Sequence, residues 1–219
     1  MDEPGWQRAG AQLTVMAQAR SLALAGMLAP IWFTALVVIQ GLLAPDYSHV
    51  RLPISALAAW PAGWIQNVNF FVFGALTTAF AIGVDRVVRK TPYGSLGTAL
   101  LMIGGIGIVL AGAFPWRMID GVPSATAPHI VAGLLSFVAT ALGLIVFSVR
   151  MRADPRWRDL ATYTMVTGIV VLLLFVSIGL FAVADDAPLH PYAGLMQRIV
   201  CAAWFTCTVV LALRLRRQT

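Results

Sequence analysis

The sequence predicts an all-α polytopic membrane protein: one bundle of six transmembrane helices with both termini cytoplasmic. Three observations carry this. Apolar residues make up 59% of the chain and charged residues 11%, against roughly 45 to 50% and about 25% in soluble domains, and mean hydropathy is +0.83. Six apolar runs have the length of about 17 to 25 residues that a helix needs to cross a hydrocarbon core. Twelve of the fifteen Lys and Arg residues fall in alternate connecting segments, the bias expected of cytoplasmic loops.

The runs lie near 22–44, 64–84, 93–114, 128–149, 160–184 and 193–213. The basic set is Arg8 and Arg20; Arg86, Arg89 and Lys90; Arg150, Arg152, Arg156 and Arg158; and Arg214, Arg216 and Arg217. The opposite loops hold only Arg51 and Arg117, while Arg198 lies inside the last run. Residues 1–21 read as a disordered start leading into a cytoplasmic interfacial segment, 22–213 as the transmembrane domain and 214–219 as a basic cytoplasmic tail. The first run exceeds a signal-peptide core and lacks a small-x-small cleavage site, so it reads as a retained span. A net charge of +6 would suggest nucleic acid in a soluble chain. Here the cations sit at helix ends, where anionic headgroups explain them, and no nucleic-acid partner is expected.

Along the chain, the first run carries Gln40 near its outer end and stops at Pro45, which cannot continue a helix. Trp60 and Trp64 flank the start of the second run and fit an aromatic belt. The third run holds Gly94, Gly97, Gly104, Gly105, Gly107 and Gly112. Small residues let helices approach closely in lipid, so this helix is expected to be the central packing post. A phosphate loop is excluded because no strand precedes the glycines and no Lys-Ser/Thr follows. Pro128 opens the fourth run as a favoured first-turn residue. The segment from Arg150 to Asp159 reads as a solvated basic anchor, and the fifth run, apolar throughout, as a peripheral helix against lipid. Cys201 and Cys207, about 120° apart on the sixth helix, read as small buried apolar residues.

Polar residues gather on the expected outer side. His49, His129 and His190 all fall there, with Asp46, Asp120, Asp185 and Asp186. His129-Ile-Val-Ala-Gly-Leu and His190-Pro-Tyr-Ala-Gly-Leu share HxxAGL at a spacing of 61, the period three two-helix hairpins would give. Helical spacing groups Asn67, Phe71, Gly74 and Thr78; His129, Gly133, Ser136 and Thr140; and Gly194, Arg198, Cys201 and Phe205 on single faces. Each face sets a polar residue above small ones, which directs it toward the bundle interior. Arg198 is costly inside an apolar run, so it requires a partner: Asp46, Asp120, Asp185, Asp186, a bound anion such as a lipid phosphate, or the outer headgroups reached by snorkelling.

Three functional readings stay open on these residues. The leading one is an outward-facing polar pocket binding a lipid headgroup or small anionic ligand, lined by Arg198, His129, Asn67, Asp120 and His190, with the loop carrying Asp46, Arg51 and Ser55 as its lid. The second is a metal-assisted hydrolase acting on lipid, with Zn²⁺ held by imidazoles and carboxylates, although no HExxH spacing is present. The third is a structural or assembly subunit with a protein partner or as a homo-oligomer. A Ser/His/Asp triad built on Ser48 or Ser55 lacks a nucleophile elbow. A transporter is disfavoured, because the midplane ionisable residues and broken helices that mark transport pathways are not seen in the sequence.

Tyr47-Ser48-x-Val50-Arg51-x-x-Ile54-Ser55-Ala56-Leu57, Asn67 or Asn69 ahead of Gly74, Phe114-Pro115, His129 and Gly194-Leu-x-Gln197-Arg198 together resemble the prokaryotic six-helix membrane family called domain of unknown function 998. The resemblance spans about residues 22–213 and implies a six-helix bundle in the cytoplasmic (inner) membrane of a prokaryote. It implies no activity. It also implies a second histidine one turn before His129, where this chain has Ala125, and that departure weakens the metal reading.

Overall fold

The computed structural model describes residues 5–89, 94–184 and 186–218, with side chains from residue 18 onward. Residues 1–4, Lys90, Asp185 and Thr219, which figure in the expectations above, lie outside the described residues, as does the Arg8 side chain. The six long helices are α1 (Gly5–Leu43), α2 (Gly63–Val87), α3 (Leu96–Ala113), α4 (Ala127–Arg152), α5 (Arg158–Phe181) and α6 (Ala193–Arg217). All six are long and apolar enough to cross a membrane. Short 3-10 turns at Ile54–Ala59 and His190–Tyr192 precede α2 and α6.

Each helix packs on its neighbours in sequence, and α6 closes on α1, so the six form a ring. The connections 44–62, 114–126 and 182–192 share one end of it, here the loop end. The arginine-rich connections share the other, the arginine end. Helix α5 is the least embedded, its apolar window 22% buried against 39% or more in every other span, which agrees with its uniformly apolar sequence.

Two elements differ from expectation. α1 runs unbroken from Gly5, because Ala, Gln, Leu, Met and Arg favour helix and no proline interrupts before Pro30. Between α3 and α4, the strands β1 (Arg117–Ile119) and β2 (Val122–Ser124) pair antiparallel with Ile119 opposite Val122. Asp120 at φ 50° and Gly121 at φ 77° make the turn, the left-handed pair that a two-residue hairpin demands and that Asp-Gly supplies.

α3 is a wedge between α2 and α4 rather than the centre of the bundle, and its Leu96, Ile103 and Ile106 are exposed. Its glycines serve that wedging. A Cβ at Gly107 would stand 2.8 Å from the Ser136 backbone nitrogen of α4, and one at Gly74 of α2 would stand 2.6 Å from the Gly105 carbonyl.

The arginine end is filled by Phe80, Val84, Leu144, Phe147, Met151, Trp157 and Leu211. Arg150 lies among them, 2% exposed, not in the solvated anchor the sequence suggests. It donates to the Asp85 carboxylate at 2.7 Å and to the carbonyls of Asp85, Val88 and Arg89. These carbonyls end α2, where a helix leaves its last acceptors unpaired and partially negative. Asp154 ties the same turn to α4: burial pushes its carboxyl up, but bonds from the Arg156 side chain and from the Arg89 and Arg156 N–H groups hold it down at about 2.

Two substitutions test this packing. Gly107→Leu should lower unfolding free energy by about 1–3 kcal/mol through overpacking, while Gly133→Leu, with nothing within 4 Å of its Cβ position, should leave the unfolding midpoint in detergent unchanged. Arg150→Ala removes the Arg150–Asp85 ion pair and should cost about 3–5 kcal/mol in the same assay.

Candidate functional site

The loop end is assembled by the segment between α1 and α2. Pro45 ends α1, and Asp46 turns the chain at φ 58°, a conformation that short polar side chains tolerate. The turn sends Tyr47 inward and leaves Asp46 exposed. From Tyr47 to Ile54 the segment then lies across the start of α6. The Leu195 N–H donates to the Val50 carbonyl at 2.9 Å, and the Ile54 N–H donates to Gln197 Oε1 at 2.6 Å. Gly194 is needed there, since a Cβ would run into the His49 and Leu52 carbonyls. Gly41 of α1 leaves room for the His49 ring in the same way.

Arg198 is the knot of this arrangement. Its guanidinium donates to the Leu52 carbonyl at 3.2 Å, the Gly194 carbonyl at 3.0 Å, the Tyr47 hydroxyl at 2.7 Å and His49 Nδ1 at 3.0 Å, and lies 5.8 Å from the Tyr47 ring centre. No carboxylate among the described residues pairs with it, so of the partners the sequence offers, Asp46, Asp120 and Asp186 do not take that role. Neutral acceptors answer it instead. Since a guanidinium only donates, His49 carries its proton on Nε2. Burial, and then the Arg198 charge, lower the His49 pKa from its ordinary 6.5. Burial raises that of Tyr47 against the opposing pull of Arg198.

Behind this loop the ring holds a chamber of about 500 Å³. At its lower end is a chain of rings: Phe33 and Phe73 with centres 4.7 Å apart, Phe73 and Trp204 at 5.5 Å, and Phe137 stacked on Phe175 at 4.7 Å. Its polar lining is sparse: Ser55, Trp116, His129, Ser136 and Gln197, with no Lys, Arg, Asp or Glu. His129, 6% exposed, directs Nδ1 at the carbonyls of Ala111 at 3.0 Å and Phe114 at 2.9 Å. Carbonyls only accept, so Nδ1 carries a proton and Nε2 is the nitrogen left over. The Gln197 amide is oriented by Ile54 N–H, which leaves its Nε2 as a donor without a partner among the described residues.

The residues expected at the site therefore divide. His129 and Ser55 line the chamber. Arg198 holds the loop from outside that lining, and Arg51 is exposed on the loop. Asn67 packs at the α2–α3 contact, where its backbone carbonyl meets Gly112, and Asp120 is exposed at the hairpin tip. His190 starts the turn before α6 and is not in the lining. Among the described residues no three His, Cys, Asp or Glu side chains gather as a metal group. Trp116 is not among the residues that the sequence marks, and Tyr47 and Gln197 appear there only within the segments that carry the family resemblance, not as candidate ligands. The usable signal of Gln197 is an amide one turn inside an apolar run. Ala125 lines the chamber beside His129.

The His49 shift has a consequence for stability. A folded-state pKa below 6.5 means full stabilisation above pH 6.5, lost as pH falls through the folded value. His49→Asn keeps a non-titrating acceptor for Arg198, so its unfolding midpoint should fall less between pH 7.5 and 5 than that of the parent chain.

No curated protein and no solved structure matches this chain. A family model described as "Protein of unknown function (DUF998)" matches residues 27–214, from within α1 to within α6. With that match covering all six spans in whole or large part, the chain belongs to the DUF998 family of membrane proteins.

Proposed function

We propose that the chain binds a membrane amphiphile, with the hydrocarbon tail in the ring's chamber and the headgroup at the loop end. The observation that carries this is the chamber itself. Ligand sites are typically about 300–1,000 Å³, largely apolar, with a few placed polar groups, and the chamber fits that description in size and lining. The absence of any Lys or Arg from the lining turns the reading away from the small anion expected from sequence.

Access from the side supports a lipid rather than a water-borne ligand. Ile130 and Leu134 of α4 line the chamber yet are 52% and 48% exposed, and Val176 of α5 and Val183, two residues past its end, line it at 45% and 66%. These residues face both the chamber and the flank that meets hydrocarbon, so a tail can pass between α4 and α5 without crossing water. The Lys and Arg bias supports a loop end on the side of the membrane away from the cytoplasm.

Gly133→Trp tests the reading, because the side chain has room to enter the chamber. Lipid co-purifying with the chain in mild detergent, measured by mass spectrometry, should fall several-fold while the unfolding midpoint holds. Equal lipid retention in parent and variant would remove the proposal.

A further inference from the structure

We infer that the chamber selects an uncharged, hydroxyl-headed lipid, a long-chain alcohol or an acylglycerol, over a lipid phosphate or a fatty acid. The inference rests on the amphiphile-binding reading above and adds the headgroup class. It follows from which hydrogen-bonding atoms the lining leaves over.

His129 is more than nine-tenths buried, and its Nδ1–H is spent on the Ala111 and Phe114 carbonyls. The atom it offers a ligand is the Nε2 lone pair, an acceptor. No acid lines the chamber to stabilise an imidazolium. Gln197 offers the opposite: its Oε1 is spent on Ile54 N–H, leaving an NH₂ donor. Trp116 adds a second donor, its Nε1 buried without a partner among the described residues, and the Ser55 hydroxyl serves either way. The lining thus asks for a headgroup that both donates and accepts.

A hydroxyl does both. A carboxylate or a doubly ionised phosphate only accepts, and even a singly ionised phosphate, which keeps one O–H, brings negative charge beside the His129 lone pair into a lining with no cation. The Arg198 guanidinium does not serve as that cation, because it is committed to the loop and lies outside the lining. Burying a charge without a countercharge is strongly unfavourable, whereas each satisfied donor or acceptor contributes modestly.

The test uses the full chain in detergent, offered equimolar 1-hexadecanol and hexadecyl phosphate, with bound species counted by native mass spectrometry. The alcohol adduct should exceed the phosphate adduct by about tenfold, the ratio one lost charge-compensating or hydrogen-bonding interaction gives. His129→Asn places an amide NH₂ where Nδ1–H stood and nothing where Nε2 stood, so it should keep the bonds to α3 and collapse that preference. Equal adducts, excess phosphate adduct, or a preference unchanged in His129→Asn each overturn the headgroup assignment while leaving amphiphile binding in place. Adducts undiminished by Gly133→Trp overturn the chamber reading itself.

Discussion

A guanidinium in hydrocarbon must find partners within the protein, since no water can supply them, and this constraint organises both ends of the ring. Arg150 and Arg198 answer it in related ways, by collecting backbone carbonyls. Arg150 gathers the free acceptors at the end of α2 and thereby ties α4 to a helix two positions earlier in the chain. Arg198 gathers a loop carbonyl, a hydroxyl and an imidazole, and ties α6 to the α1–α2 connection. Each cation links elements distant in sequence, so each limits how the ring can close. The two differ in one respect: Arg150 has a carboxylate and Arg198 has none among the described residues. The loop end is therefore held by dipoles alone, a weaker and more adjustable clamp.

With both ends pinned, the middle is set by what the helices present to one another. Glycines let α2, α3 and α4 press backbone against backbone, which makes that half of the ring dense. The other half has no such wedge. α5 meets α4 at Gly168, where a Cβ would stand 2.7 Å from the Ala141 carbonyl, but toward the loop end Gly179 has nothing within 4 Å of its Cβ position. The asymmetry between a glycine pressed on its neighbour and one standing clear of it opens the chamber on one side and at one end.

The spans were legible because apolar run length is a strong signal that lipid enforces directly. The charge bias marked the two ends for the same reason. The site was less legible. Stripes at i, i+4 and i+7 show which residues share a face but not which neighbour that face meets, so Asn67 was placed inward when its stripe packs on α3 and leaves Phe71 40% exposed. The inward groups of that helix are Gln66 and Asn69, fully buried, with the Asn69 amide on the Phe33 carbonyl of α1 at 3.2 Å. Arg150 differs from its sequence reading because a cation beside other cations at a helix end has the same signature whether it anchors to headgroups or turns back to cap a neighbouring helix. Asp120-Gly121 has the composition of a hairpin turn, a local signal that a chain otherwise patterned for helices obscures. HxxAGL also shows the limit of pattern: Gly133 stands clear of neighbours while Gly194, its counterpart, is pressed against two loop carbonyls.

Glycines in a membrane bundle have two physical explanations, and the positions here separate them. Small residues that bring helices together have backbone or side-chain atoms against them, as Gly97, Gly107 and Gly143 do. Gly133 and Gly179 line the chamber and have none. A core selected only to hold six helices would extend side chains into that space, and each methylene it buried would contribute about 0.8 kcal/mol. Leaving glycine at both positions forgoes that stabilisation on the two helices that flank the lateral opening. The same chamber carries a histidine whose one bonded nitrogen is fully occupied by α3 and a glutamine whose carbonyl is occupied by the loop. Side chains that could fill space are absent at these two positions and the polar atoms that could bond are held in place, the combination on which the amphiphile-binding proposal rests.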